Sequence, residues 1–309
     1  MKKILIGVPC YNEETALNQF KVAVDTVLEK FEGYDFDYLF VDDGSTDTTK
    51  SLLKGFAQNN SNVHFISFSR NFGKEAGMKA IFDYAKEKEY DALILMDADL
   101  QDDPRFLPSL IFEWRQGYKH VYTKHIGREG QGIVKKICSI AFYKIYAKLT
   151  GFKNMKNGAR DYGLYDKDVI EAYSNYPDYE RFTKGISSYV GFKKTCVEID
   201  YQKRCAGKTK WSFKKLFDYA ICGFNAFSKW LKLIPSFICF LFLCLGVFDV
   251  IHTGLSYGWK QIFFLTNIRI DILAIVICCL TKVVLSLGYQ IKQHSEKKPL
   301  YIVEETDCN

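Results

Sequence analysis

"LILMDADLQDDP", residues 93–104, decides how the chain is read. Leu93–Met96 are four consecutive apolar residues and form a buried-strand pattern. Asp97, Asp99, Asp102 and Asp103 then fall within seven positions. Crowded carboxylates repel one another, and burying them adds a desolvation cost, so a positive partner is expected. Asp97 and Asp99 flank Ala98 in a D-x-D, and Gln101 adds an amide oxygen two positions on. Hard oxygen ligands of this kind suit Mg²⁺ or Mn²⁺. The alternative for such a cluster is a solvated turn.

The same grammar recurs upstream. Strand patterns "ILIGV" (4–8), "YLFV" (38–41), "VHFISFS" (63–69) and "ALILM" (92–96) alternate with helical patterns at 14–31, 46–58 and 76–88. This alternation predicts an α/β fold with a mostly parallel sheet. Each strand is followed by a polar loop: "PCYNEE" (9–14), "DDGSTD" (42–47), "RNFGKE" (70–75) and "DADLQDD" (97–103). Ligands of open α/β sheets bind at the carboxyl ends of strands, so these four loops predict one site.

Beyond residue 125 the pattern is less regular. An amphipathic helix is expected at 133–149 and a strand at 196–201. After Trp211 the character changes. Residues 212–232 are amphipathic and basic, as expected for an interfacial helix. Leu233–Ile251 is a nineteen-residue apolar run with only Asp249 charged. A second run within 262–291 is broken by Arg269, Asp271 and Lys282. Two transmembrane helices are expected within 233–291, the second starting at Ile272; two buried helices of a soluble domain are the rival reading. Lysines cluster before the first run and after the second, which predicts both termini in the cytoplasm. The expected organisation is a catalytic domain at 1–211, an interfacial helix at 212–232, two spans at 233–291 and a cytoplasmic tail at 292–309.

The bulk numbers narrow the classes. A net charge of +6 suits anionic partners or lipid, and no nucleic-acid motif is present. Ten cysteines are scattered without a C-x-x-C pair, which argues against a zinc site.

In order, "VPCYNEE" (8–14), "VDDGSTD" (41–47), "SRNFGKEAG" (69–77), "MDADLQDDP" (96–104), "NGARDYGLYD" (157–166), "RCAGKTKWSF" (204–213) and "KPLYIVEE" (298–305) span nearly the whole chain. Together they resemble the inverting family 2 glycosyltransferases that load a sugar onto polyprenyl phosphate, the family of dolichol-phosphate mannose synthase and the bactoprenol-phosphate glucosyltransferases. The resemblance implies a GT-A fold and a cell-membrane enzyme with its catalytic domain in the cytoplasm. It implies transfer of a hexose or N-acetylhexosamine from a nucleotide sugar, most simply a UDP-sugar, to undecaprenyl phosphate. A small flippase and an outward-facing glycosyltransferase would be downstream partners, and homo-oligomers are compatible with it. Rival readings are a transferase acting on a sugar hydroxyl of a growing glycan and an inactive membrane scaffold subunit.

Site roles follow from the same resemblance. Pro9, Tyr11, Glu13, Val41, Asp43 and Ala98 would line the nucleotide sugar; Asp97, Asp99 and Gln101 would hold the metal. Arg204 and Lys210, on the R-x-x-G-x-[ST]-K spacing, would face the diphosphate. Asp161 would be the catalytic carboxylate, with a helix N-cap as the alternative. Gly163 stands where the family has Arg, and His125 where Arg is frequent. Arg128 and Arg160 are the expected contacts for acceptor phosphate, with Arg181 and Lys184 as further compensating cations, and Gly163→Arg is expected to be tolerated. Arg70 and Lys74 are open: site cations or loop packing.

Overall fold

The computed structural model describes residues 1–126, 144–152, 159–176, 181–200 and 299–308, together with scattered helical positions between 221 and 295. Met1–Ala226 and Pro299–Asn309 form one compact unit, and Phe227–Lys298 form another.

The first unit is built on an eight-stranded sheet in the order β7-β5-β6-β4-β1-β2-β3-β8. The strands are β1 (Lys2–Cys10), β2 (Tyr34–Asp42), β3 (Val63–Phe68), β4 (Ala92–Leu95), β5 (His120–Ile126), β6 (Ala159–Asp166), β7 (Lys194–Asp200) and β8 (Val303–Thr306). The central set β3-β2-β1-β4 is parallel, and so is β5 with β7. β6 runs antiparallel to both β4 and β5, and β8 antiparallel to β3. Helices among its described residues include α1 (Leu17–Leu28), α2 (Thr49–Asn59), α3 (Lys74–Glu87), α4 (Leu107–Arg115), α5 (Lys167–Ser174) and α6 (Thr183–Tyr189).

The central strands are apolar on both faces because helices cover both faces. Ile4, Leu5, Ile6 and Val8 of β1 are all fully buried, and so are Ala92–Ile94 of β4. On α1, Leu17, Phe20, Val24 and Leu28 make one buried stripe at helical spacing. Each such side chain contributes about 1.5–3 kcal/mol by leaving water. Phe20 meets Phe40 of β2 edge to face at 6.3 Å, so this contact locks α1 onto the sheet.

Two features differ from expectation. The terminal segment is part of the sheet: β8 pairs Ile66 with Thr306 and Ser67 with Glu305, Tyr301 stacks on Phe68 at 4.9 Å, and its hydroxyl donates to Asp83 at 3.0 Å. Gly163 sits inside β6 opposite both Leu95 and Tyr122, and a Cβ there would stand 2.5 Å from the Val121 carbonyl oxygen. The expectation that Arg is tolerated at 163 is therefore corrected, because the neighbouring backbone leaves no room for a side chain.

Most of 212–291 lies outside the described residues, including the limits of the expected interfacial helix and spans. Among the described residues no helix is long and apolar enough to cross a membrane. Several helical positions of the second unit expose large apolar side chains: Phe248, Leu255, Val284, Leu285 and Ile291 are each more than half exposed.

Candidate active site

The four polar loops do gather at the carboxyl edge of the parallel strands, and hydrogen bonds knit them together. Asn12 takes a left-handed conformation (φ 52°), with its N–H donating to Ser45 Oγ at 2.9 Å and its Oδ1 accepting from Thr46 N at 2.8 Å. Glu13 N donates to Thr49 Oγ1 at 2.8 Å, and Glu14 accepts from Thr48 N at 3.0 Å. These bonds fasten the loop after β1 to the loop after β2. Pro9 and Val41 are sheet neighbours directly below them.

The second loop is fastened to the third by Asp43. Its two carboxylate oxygens accept from Phe72 N at 2.6 Å and Gly73 N at 2.9 Å, just before α3 begins. Burial pushes the Asp43 carboxyl up to about 6, against the lowering effect of those two bonds. Gly44 (φ +65°) permits the close approach: a Cβ there would lie 2.4 Å from the Arg70 carbonyl carbon. Asp43, expected to line the nucleotide sugar, is engaged here in positioning α3.

That positioning brings Lys74, the first residue of α3, into the acidic loop. Its Nζ lies 2.6 Å from Asp97 Oδ1, 2.8 Å from Asp97 Oδ2 and 3.2 Å from Asp161 Oδ2. Burial disfavours the Lys74 charge, but the Asp97 and Asp161 carboxylates outweigh it and raise its pKa. Burial likewise opposes ionisation of Asp161, yet Lys74 and Lys184 hold its pKa down to about 2. Asp161 lies in β6, while the N-cap of α5 is Asp166, whose side chain accepts from Asp168 N. The capping alternative for Asp161 is thereby removed.

The remaining carboxylates have distinct partners. Asp102 is 1% exposed and accepts from Arg160 Nη2 at 2.9 Å and Nε at 3.2 Å. Burial raises its pKa, with Arg160 opposing. Asp103 takes Arg105 Nη2 at 2.6 Å and caps the turn Pro104–Phe106. Asp99 Oδ1 accepts from Gln101 N at 3.1 Å around the left-handed Leu100 (φ 55°). Lys74, Arg160 and Arg105 thus supply charge for three of the four carboxylates, so crowding alone does not require a metal.

The donor set still fits one. Asp97, Asp99 and Gln101 offer hard oxygens, and a cation, the Lys74 ammonium, is already seated on Asp97. Among the described residues, the group of three His, Cys or acidic side chains with mutually close ligand atoms is His64–Asp307–Cys308, near the amino-terminal end of β3 and remote from these loops.

Other expected residues are placed as follows. Ala98 is buried behind the acidic loop, and Tyr11 and Glu13 are half-buried beside it in the first loop. Arg160 serves Asp102. Arg181 is 3% exposed and donates to the Tyr173 and Tyr176 carbonyls, so it is a packing residue. Arg70 lies over the Phe72 ring at 4.0 Å and donates to the Asn71 carbonyl. His125 is half-buried near the end of β5. Arg128, Arg204 and Lys210 lie outside the described residues. Sequence reasoning passed over Asp102, whose burial depends on a partner 58 positions away. It passed over Glu75 too, which accepts from Thr183 Oγ1 at 2.6 Å and ties α3 to α6.

The sheet order and the carboxylates at its carboxyl edge define an α/β domain of the GT-A kind. Residues 5–174 match the profile of glycosyl transferase family 2. The chain belongs to that family and is a glycosyltransferase. It is 34% identical over 259 residues to the prophage bactoprenol glucosyl transferase homolog of Escherichia coli, covering 82% of this chain and 83% of the relative. An uncharacterized glycosyltransferase of Synechocystis sp. is 31% identical over 315 residues, covering 98% of this chain and 95% of that one. Among solved structures, mannosyl-3-phosphoglycerate synthase from Rubrobacter xylanophilus shares the fold. Its TM-score is 0.50 at 16% identity, over 75% of this chain and 74% of that one.

Proposed function

We propose that this glycosyltransferase moves a hexose or N-acetylhexosamine from a nucleotide sugar to undecaprenyl phosphate at the cytoplasmic face of the cell membrane. The observation that carries the reading is the ionised Asp161, bridged to Asp97 by Lys74 at the carboxyl edge of the sheet. A general base works best with a pKa near the working pH, and Asp161 is held at about 2. A sugar hydroxyl needs its proton removed, whereas a phosphate monoester is already ionised. Asp161 therefore suits orientation of cations around a phosphate nucleophile. The printed name of the Escherichia coli relative, a bactoprenol glucosyl transferase homolog, supports the same acceptor.

In this reading Pro9, Tyr11, Glu13, Val41, Asp43 and Ala98 line the nucleotide. Asp97, Asp99 and Gln101 would hold Mg²⁺ or Mn²⁺, which supplies charge to the departing diphosphate. An acceptor phosphate oxygen attacks the anomeric carbon from the face opposite the diphosphate. The carbon–oxygen bond to the diphosphate breaks with inversion, and the nucleoside diphosphate leaves with the electron pair. In this reading Arg204 and Lys210 would face that leaving group, and Arg128, with Arg160 from its pair with Asp102, would face the incoming phosphate. Two spans within 233–291 hold the site at the bilayer; the exposed apolar side chains of the second unit support membrane contact.

The test is incubation of the purified full-length chain with a panel of labelled nucleotide sugars and undecaprenyl phosphate. Label should become extractable into organic solvent only with the lipid phosphate present. Transfer to a soluble glycan and never to the lipid would replace this reading with a hydroxyl acceptor.

A further inference from the structure

Among the described residues, Lys74 pairs with both Asp97 and Asp161. Its ammonium has three carboxylate oxygens within 3.2 Å, two from Asp97 and one from Asp161. The contact is held from behind: Asp43 fixes the Phe72 and Gly73 amides immediately before Lys74, and Glu75 immediately after it anchors Thr183. Lys74, Asp97 and Asp161 are each between 22% and 29% exposed, so the trio borders solvent and is accessible to a ligand. An ammonium bound to both oxygens of Asp97 and a divalent cation bound to the same carboxylate repel each other at short range. They cannot both be accommodated there without one giving way.

We propose that Lys74 is a displaceable counter-cation, a positioning residue that occupies Asp97 until a divalent ion arrives with the nucleoside diphosphate and then swings off Asp97 while keeping Asp161. The proposal rests on the metal reading given above and adds an order to it. Without donor, the ion must evict Lys74 from Asp97 and leave it, of its two paired carboxylates, with Asp161 alone. With donor, the diphosphate supplies both an extra ligand for the ion and an anionic partner for the evicted ammonium. Metal and donor therefore bind together. In the empty site Lys74 offsets the mutual repulsion of Asp97 and Asp161. The flexible four-carbon stem of lysine suits this exchange better than a planar guanidinium fork.

The experiment measures Mn²⁺ binding to the full-length chain by electron paramagnetic resonance of free Mn²⁺, with and without UDP. Lys74→Met removes the charge and keeps the stem; Lys74→Gln is a second neutral variant; Lys74→Arg keeps the charge. Thermal melts select the variants that fold. Without UDP, the neutral variants should bind Mn²⁺ at least tenfold more tightly than wild type, and Lys74→Arg should not. The gain in affinity on adding UDP should shrink in the neutral variants. A merely structural ion pair would leave Mn²⁺ affinity unchanged or lower it. Equal or weaker Mn²⁺ binding in the neutral variants overturns the exchange while leaving the metal reading intact. No Mn²⁺ bound by wild type in either condition overturns both.

Discussion

Gly163 and Val121 are in closer register than any other side chain would allow: a Cβ at 163 would stand 2.5 Å from the Val121 carbonyl oxygen and 3.1 Å from Tyr122 Cα. The position sits two residues after Asp161 in the same strand, so a backbone shift there displaces the Asp161 carboxylate. Gly163→Ala should lower stability by about 1–3 kcal/mol, and Gly163→Arg by more. Denaturant unfolding of both variants checks this. Wild-type stability in Gly163→Arg would show that the sheet can open at this point.

Asp99→Asn keeps the size of the proposed ligand and removes its charge. Turnover should fall by two orders of magnitude or more, roughly 2.7 kcal/mol of barrier. The companion measurement is wild-type activity under full chelation. Undiminished turnover without divalent ion would remove the metal from the reaction.

Arg160→Ala leaves Asp102 buried at 1% exposure without its guanidinium. Breaking a buried pair in this way costs about 3–5 kcal/mol. The double variant Asp102→Leu/Arg160→Met, which removes both charges, should recover much of that loss. A double variant as unstable as the single one would show that the pair contributes beyond mutual neutralisation.

Asp43 should leave a signature in the pH dependence of stability. Its folded pKa of about 6 lies above the unfolded value of about 3.9, so the native state binds the proton more readily. The buried carboxylate therefore costs stability in full above pH 6. The cost is relieved as pH falls from about 6 to about 4, by about 3 kcal/mol at most. Asp161 has the opposite sign: with a folded pKa of about 2, its contribution is present above about pH 4 and is lost as pH falls toward 2. The difference in unfolding free energy between wild type and Asp43→Asn should slope between pH 6 and 4. A flat difference there rejects the assignment.

Tyr301→Ala removes the ring stacked on Phe68 and the bond to Asp83. It should destabilise the first unit by about 2 kcal/mol and increase hydrogen exchange along β3. The Lys50–Glu304 and Lys54–Glu305 pairs are surface contacts and should add little to that anchorage. Unchanged exchange at Ile66 and Ser67 would mean that β8 is held without its tyrosine.

Much of this was legible in the sequence because it is written locally. The apolar runs at 4–8, 38–41, 63–69 and 92–96 became β1 to β4, and the polar loops after them converged as strand order requires. What the sequence did not show depends on long-range geometry. Arg70 and Lys74 share one polar motif, four residues apart. Which of them reaches Asp97 is settled by where α3 begins, and Asp43 fixes that from 30 positions away. The partner of Asp102 is 58 positions distant. Asp161 had a cap as its alternative reading because strand and helix adjoin at Asp166. β8 carries no alternation strong enough to announce a strand; its pairing with β3 creates it.

That returning strand also constrains how the enzyme is threaded. Residues Phe227–Lys298 leave the first unit after Ala226 and rejoin it at Pro299. A chain whose two points of departure are fastened to the same folded body can traverse a closed bilayer only an even number of times. A single or triple passage would strand β8 in the opposite compartment and tear Tyr301 from Phe68. The hydrogen bonds of one short edge strand would thus act as a parity check on any membrane crossing by residues 227–298. An odd-crossing insertion would leave the edge of β3 bare.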